Sequence, residues 1–164
     1  MTTAQTVQPL EARRNGEARS AHYVFPDDTN HLGTMFGGRV LQLMDETGGI
    51  AASRYARGTV VTAAMEAVSF EAPIRQGMII EAVARVVYTG RTSMIVRVEV
   101  FAEDPLAGVR VRATMGYLTM VALDGAGQPT PVPPLLVETD EERAAHAAAE
   151  GVRRAAEGRR AMSG

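Results

Sequence analysis

Apolar residues recur along this chain with two periods, and the change from one to the other separates a helix from a set of strands. Across residues 37–55, Arg39, Gln42, Glu46 and Ser53 keep the three-, four- and seven-residue spacings of one polar helical stripe, with apolar positions on the remaining arc. Residues 21–25 precede this helix as a short strand that Pro26 ends. Residues 60–70 are rich in β-branched and small side chains and read as the next strand. Strict alternation follows. Ile80, Ala82, Ala84, Val86 and Tyr88 share one face opposite Glu81 and Arg85, and Gly90 breaks the run. Met94, Val96, Val98, Val100 and Ala102 alternate with Arg97, Glu99 and Glu103 in a further strand. Val111, Ala113, Met115, Tyr117, Thr119, Val121 and Leu123 are expected to form the buried face of the last one.

One strand, one long helix and four strands joined by short connections predict an α+β fold, a curved antiparallel sheet wrapped around one long central helix. The pattern divides the chain into a flexible N-terminal arm (1–19), the folded domain (20–124), a Pro/Gly-rich linker (125–137) and a C-terminal helical or frayed tail (138–164). Ala, Glu and Arg give that tail high helix propensity, while Gly151 and Gly158 weaken it.

Candidate chemistry gathers at the start of the predicted helix. A polar loop from Asp28 through Asn30, His31 and Gly33 leads to Gly37 and Gly38, which open the helix. The first N–H groups of a helix have no intrahelical partner, and glycine lets a ligand approach them closely, so this pair suits a carbonyl or oxyanion. Asp45 lies about two turns further in. Leu41, Gly48 and Ala52 surround it on the helical wheel, at the edge of the buried stripe, whereas Glu46 falls in the polar stripe and is expected on the surface. The wheel alone leaves Asp45 open to a buried ion pair as well as to catalysis.

Composition narrows the alternatives. At 164 residues, 46% hydrophobic and without Trp, the chain suits one domain with an aliphatic core. Its net charge of −2 and the lack of a basic run argue against nucleic-acid partners. Without cysteine, thiolate nucleophiles, disulfides and Cys-based zinc sites are excluded. The first twenty residues hold no apolar core of a secretory signal, and no apolar run reaches membrane-spanning length, so no membrane insertion and a cytoplasmic location are expected. His22, His31 and His146 are too scattered to suggest a metal site. No G-x-S-x-G elbow, G-x-G-x-x-G turn or P-loop is present, and no cofactor is expected.

The motif Asn30-x-x-Gly33-x-x-x-Gly37-Gly38, the helix with internal Asp45, the strand reading Val60-Val61-Thr62-Ala63 and the later Gly90-Arg91-Thr92-Ser93 together resemble the hot-dog-fold acyl-CoA thioesterases, in particular the bacterial and cytosolic acyl-CoA hydrolases. The resemblance runs from about Ala21 to Leu123. It implies hydrolysis of acyl-CoA to a free acid and coenzyme A, in a homo-oligomer built from dimers and often of three dimers, with the substrate channel at the dimer interface. It places Asp45 on the catalytic carboxylate, Asn30 on a supporting residue from the neighbouring subunit, and Gly37 and Gly38 against the thioester carbonyl. Gly90, Arg91, Thr92, Ser93 and Thr62 fall among the residues that meet coenzyme A. Two other activities share this fold: an acyl-CoA-binding module without catalysis, and a dehydratase or hydratase. The latter commonly has His five residues after the Asp, where this chain has Ile50.

Overall fold

The computed structural model describes residues 12–162. Strand β1 (Glu17–Tyr23) comes first, followed by a single 3-10 turn (Pro26–Asp28), helix α1 (Gly37–Ala56) and strands β2 (Thr59–Phe70), β3 (Ile79–Thr89), β4 (Ser93–Asp104) and β5 (Val109–Leu123). Helix α2 (Asp140–Met162) closes the chain. The strands form one antiparallel sheet in the order β1-β3-β4-β5-β2, so β1 and β2 are its edges. Helix α1 touches all five strands.

Hydrophobic burial against α1 organises the inner face of the sheet. Met44, Ala51 and Ala52 of the helix meet Ala82, Ala84, Val96, Val98, Val100 and Leu118, all fully excluded from solvent. Truncating one such Met or Leu to Ala costs about 2–5 kcal/mol, through lost transfer energy and the cavity left behind. Two glycines set the spacing between helix and sheet. A Cβ on Gly116 would lie 2.9 Å from Val68 Cγ2 and 3.0 Å from Met44 Cε, and one on Gly48 would lie 3.0 Å from Leu118 Cδ2.

The expected parity fails in β5. Thr114, Gly116, Leu118, Met120 and Ala122 face α1, because they pair in register with Val100, Val98, Val96 and Met94 of β4 or continue that row. Met115 and Tyr117, expected inside, instead pack with Val87, Tyr88 and Ile95 beneath Ala145, Ala149 and Val152 of α2. Tyr88 is on this outer side because a register shift between Val86 and Tyr88 turns the strand over. With apolar residues on both faces, alternation no longer marks which side is the core.

The outer face beyond α2 is ionic. Arg85 meets Glu17 at 2.7 Å, Arg110 meets Glu81 at 2.6 Å, and Arg112 meets Glu71 at 3.0 Å. Pairs this accessible contribute at most about 1 kcal/mol each.

The first strand starts four residues before the expected position, and residues 12–19 are not a free arm. Arg13 N–H donates to Pro134 O at 2.8 Å, Leu136 N–H to Arg13 O at 2.7 Å, and the Arg13 guanidinium to Tyr55 O at 2.7 Å. The buried Tyr55 hydroxyl donates to Pro133 O at 3.0 Å, and burial pushes its pKa up to about 12. The Pro-rich stretch therefore straps the end of α1 rather than leaving the domain. Residues 1–11 of the expected arm and 163–164 of the expected tail lie outside the described residues.

Candidate active site

The candidate residues fall into two groups, separated along α1. The first is the loop and the helix start. Asn30 Oδ1 accepts the Leu32 N–H at 2.9 Å, the Thr34 N–H at 3.3 Å and the Thr34 hydroxyl at 3.2 Å, so the side chain ties its own turn together. Its Nδ2 donors have no partner among the described residues. Gly33, at φ 71°, takes the left-handed conformation this turn needs. The loop is fastened to the helix start by the Phe36 N–H to Asp28 O bond (2.9 Å) and to the β2–β3 connection by the Met35 N–H to Ile74 O bond (2.7 Å).

Phe36 precedes the helix without a side-chain cap. Arg39 and Val40 N–H both donate to Phe36 O, while the N–H groups of Gly37 and Gly38 find no acceptor among the described residues. Both glycines are exposed. Two free donors at a positive helix end form a site for a carbonyl oxygen or an anion.

The second group sits at the middle of α1. Asp45 is half-buried, and the Thr62 hydroxyl donates to its Oδ1 at 2.5 Å. The same hydroxyl lies 3.2 Å from Met120 Sδ. A register shift between Thr62 and Ala64 bends β2 beside this contact. Glu46, by contrast, is exposed and accepts the Gln42 amide at 2.9 Å, with Arg39 next along the stripe, as the wheel requires.

Thr62 also fixes where the turn Gly90–Ser93 lies. Thr62 pairs with Met120, Met120 with Met94 and Met94 with Thr89, one continuous row across the sheet. At about 4.8 Å per strand the row spans roughly 14 Å and ends beside that turn. Gly90 N–H closes it onto Ser93 O at 2.8 Å, and Thr92 O accepts the Ala122 N–H at 3.0 Å. The exposed Arg91 uses its carbonyl to hold Val132 N–H at 3.0 Å, and its guanidinium has no ion-pair partner among the described residues.

Eight residues at 1.5 Å each separate Gly37 from Asp45, about 12 Å along the helix. No hydrogen bond joins Asn30 to Asp45 within the chain. One reacting carbonyl must sit about 3 Å from both its donors and its base or nucleophile, so the two groups of one copy do not enclose a common substrate. Sequence reasoning set Thr62 among the coenzyme A residues and missed its bond to Asp45. A threonine on a strand 17 residues away carries no local signal of such a contact. No three His, Cys, Asp or Glu side chains cluster as a metal site among the described residues.

A profile of the thioesterase superfamily matches residues 32–109, from the loop after Asn30 through β4. An uncharacterized acyl-CoA thioester hydrolase of Bacillus subtilis is 42% identical over 123 residues, which cover 75% of this chain and 72% of that protein. This chain belongs to the thioesterase superfamily. Its fold is the hot-dog fold of the solved thioesterases. The acyl-CoA hydrolase of Staphylococcus aureus, solved with butyryl coenzyme A and coenzyme A, superposes with a TM-score of 0.84 at 38% identity, covering 90% of both chains. A hexameric acyl-CoA thioesterase solved without ligand gives 0.87 at 38% identity, over 94% of this thioesterase chain and 99% of the other.

Proposed function

We propose that this thioesterase hydrolyses acyl-CoA to a free acid and coenzyme A at sites shared between two copies. The separation of its two half-sites along α1 carries this reading. Asn30, Gly37 and Gly38 of one copy face Asp45 and Thr62 of the other. The sheet edge at β2, with Val61 and Phe70 exposed, is the junction. An edge strand leaves a row of backbone N–H and C=O groups unpaired, and a second copy pairs them by symmetry.

The chemistry needs two things. The thioester oxygen accepts the free N–H groups of Gly37 and Gly38, and one such donor is typically worth about 2.7–4 kcal/mol in the transition state. Asp45, held through Oδ1 by Thr62, takes a proton from water through Oδ2 as the water oxygen adds to the carbonyl carbon. The tetrahedral oxyanion collapses, the C–S bond breaks, and Asp45 returns the proton to the departing coenzyme A sulfur. Asn30 Nδ2 orients the water or the carbonyl. Arg91 takes a phosphate of coenzyme A, with Gly90, Thr92 and Ser93 shaping the turn that receives it.

Two further observations support the reading. The Staphylococcus aureus hydrolase has also been solved with single alanine replacements of an Asn, an Asp and a Thr, separated by 15 and 17 residues, as Asn30, Asp45 and Thr62 are here. The hexameric neighbour supports a trimer of such dimers. No helix among the described residues is long and apolar enough to cross a membrane, which fits a cytoplasmic reaction on a water-soluble thioester. Thiol release from acyl-CoA by chelator-treated protein tests the activity. Release at the untreated rate is expected, and none from short, medium or long acyl chains overturns the proposal.

A further inference from the structure

A cleft of about 220 Å³ lies on the outer face of the sheet, between β3, β4 and the start of α2, with Val87, Leu135, Leu136 and Ala145 as apolar walls and Arg85 and Arg97 among its lining. The sheet separates it from α1 and Asp45, and it lies on β3 and β4, away from the β2 edge assigned above to a second copy.

Arg85 and Arg97 are direct cross-strand partners, so their Cβ atoms stand roughly 5 Å apart and their charges repel. The chain offsets this repulsion only in part. Arg85 spends Nε on Glu17 at 2.7 Å, while its Nη1 stands 3.7 Å from Glu141, beyond hydrogen-bond distance, and the Glu141 side chain is 78% exposed. Arg97 Nη2 faces Glu99 at 3.0 Å, and its Nε and Nη1 have no partner among the described residues. Glu17 and Glu99 are themselves divided, being shared with Arg19 at 2.7 Å and Arg112 at 3.6 Å. The buried polar side-chain atoms without a partner belong to Thr47, Thr114 and Arg153, so the unspent nitrogens of Arg85 and Arg97 are open to solvent. The start of α2 caps itself. Glu142 accepts the Glu138 and Thr139 N–H groups at 2.8 and 3.0 Å, and the Thr139 hydroxyl accepts the Glu142 N–H at 3.1 Å. The two guanidiniums therefore carry the positive charge of the cleft.

Forked donors beside an apolar wall match a carboxylate on an aliphatic body. A single negative charge can displace the loose Glu141 contact, whereas the double charge of a phosphate is opposed by Glu141 and Glu142 at the same cleft. The volume lies below the roughly 300–1,000 Å³ of drug-sized ligand sites, so the acid is small. We infer that this cleft binds a short-chain aliphatic monocarboxylate, with Arg97 and Arg85 holding the carboxylate and Val87, Leu135 and Leu136 receiving the alkyl body. The site does not depend on the hydrolase reading, although a free acid is also what that reaction would release.

The test is a titration of methyl-labelled protein with sodium butyrate at constant ionic strength, followed by NMR. The methyl signals of Val87, Leu135 and Leu136 should shift and saturate, and neither 1-butanol nor sodium phosphate should reproduce the effect. Arg97→Gln should weaken butyrate binding at least about tenfold, the fold-change of one hydrogen bond to a charged group, with the melting temperature unchanged. Leu136→Asp, at an exposed wall position, should weaken it similarly by repelling the carboxylate, and it serves alone should Arg97→Gln fail to fold. No saturable shift at these methyls, an equal response to phosphate or 1-butanol, or undiminished butyrate binding in the folded variants overturns the inference. Shifts confined to methyls facing α1 overturn it as well, because butyrate would then occupy the candidate active site alone.

Discussion

The two ends of the stretch of α1 that carries the candidate residues are built in opposite ways. At Gly37 and Gly38 the helix exposes bare backbone donors and no side chain, without a cap. Two turns on, Asp45 is half-buried and locked by Thr62 at 2.5 Å. The first end suits negative charge through its free helix-terminal N–H groups; the second presents a carboxylate oriented by a neighbouring strand. Their separation of about 12 Å is the observation behind the proposal that each chain carries two half-sites, completed by a second copy.

The strongest way to break this comparison is at its charged end. Asp45→Asn keeps the shape and the Thr62 contact but removes the base, and kcat should fall about a thousandfold or more. Glu46→Gln, on the exposed stripe, should change kcat less than about twofold. Steady-state thiol release from the two variants checks this, and equal losses would mean that the burial difference between adjacent carboxylates is irrelevant to catalysis.

At the other end, Gly37→Pro deletes one N–H without breaking the helix, since proline is tolerated at the first helical position. Phe36, at φ −58° and ψ 134°, already has the conformation a following proline requires. The expected loss is about a hundredfold in kcat with an unchanged melting temperature. A variant that melts normally and turns over normally would remove Gly37 from the oxyanion site.

Thr62→Val sharpens the comparison by freeing Asp45 from its strand. A hydrogen bond to a charged group contributes about 1.5–3 kcal/mol, so a loss of roughly ten- to a hundredfold is expected, mostly in kcat. A change confined to KM would return Thr62 to the coenzyme A residues. The smallest effect belongs to Arg91→Ala, which should raise KM severalfold with kcat preserved, because a phosphate contact is made equally in ground and transition states. Added salt should raise the wild-type KM in the same direction by screening this exposed contact. A salt-insensitive KM argues against Arg91 as a phosphate ligand.

What the sequence discloses follows from where each residue finds its partners. In β4, apolar residues face α1 and charges occupy much of the opposite side, so alternation names the core directly. In β5 the outer side is covered in turn by α2, and Met115 and Tyr117 are as apolar as the true inner row, so the parity is lost. The contrast between Asp45 and Glu46 is legible because a helical wheel is a local property. The bond from Thr62 to Asp45 is not, since it depends on β2 returning beside α1 with a register shift at that point. The strap of residues 128–136 over Tyr55 is hidden for a similar reason: proline-rich composition describes stiffness, while its hydrogen bonds to β5 and Arg13 are tertiary. The proposed pairing of Asn30 with Asp45 across two copies carries no local signal at all, and only the family resemblance implies it.

Subunit exchange tests that pairing most directly. Asn30→Ala and Asp45→Ala, each inactive alone, are mixed, allowed to exchange with exchange verified by a mass or fluorescence label, and assayed for thiol release. A mixed dimer of one copy of each variant rebuilds one site with both native residues, so activity should return to about a quarter of wild type under random pairing. Verified exchange with no activity above the two parent proteins would show that each copy holds its own complete site, and the account of shared half-sites would be wrong.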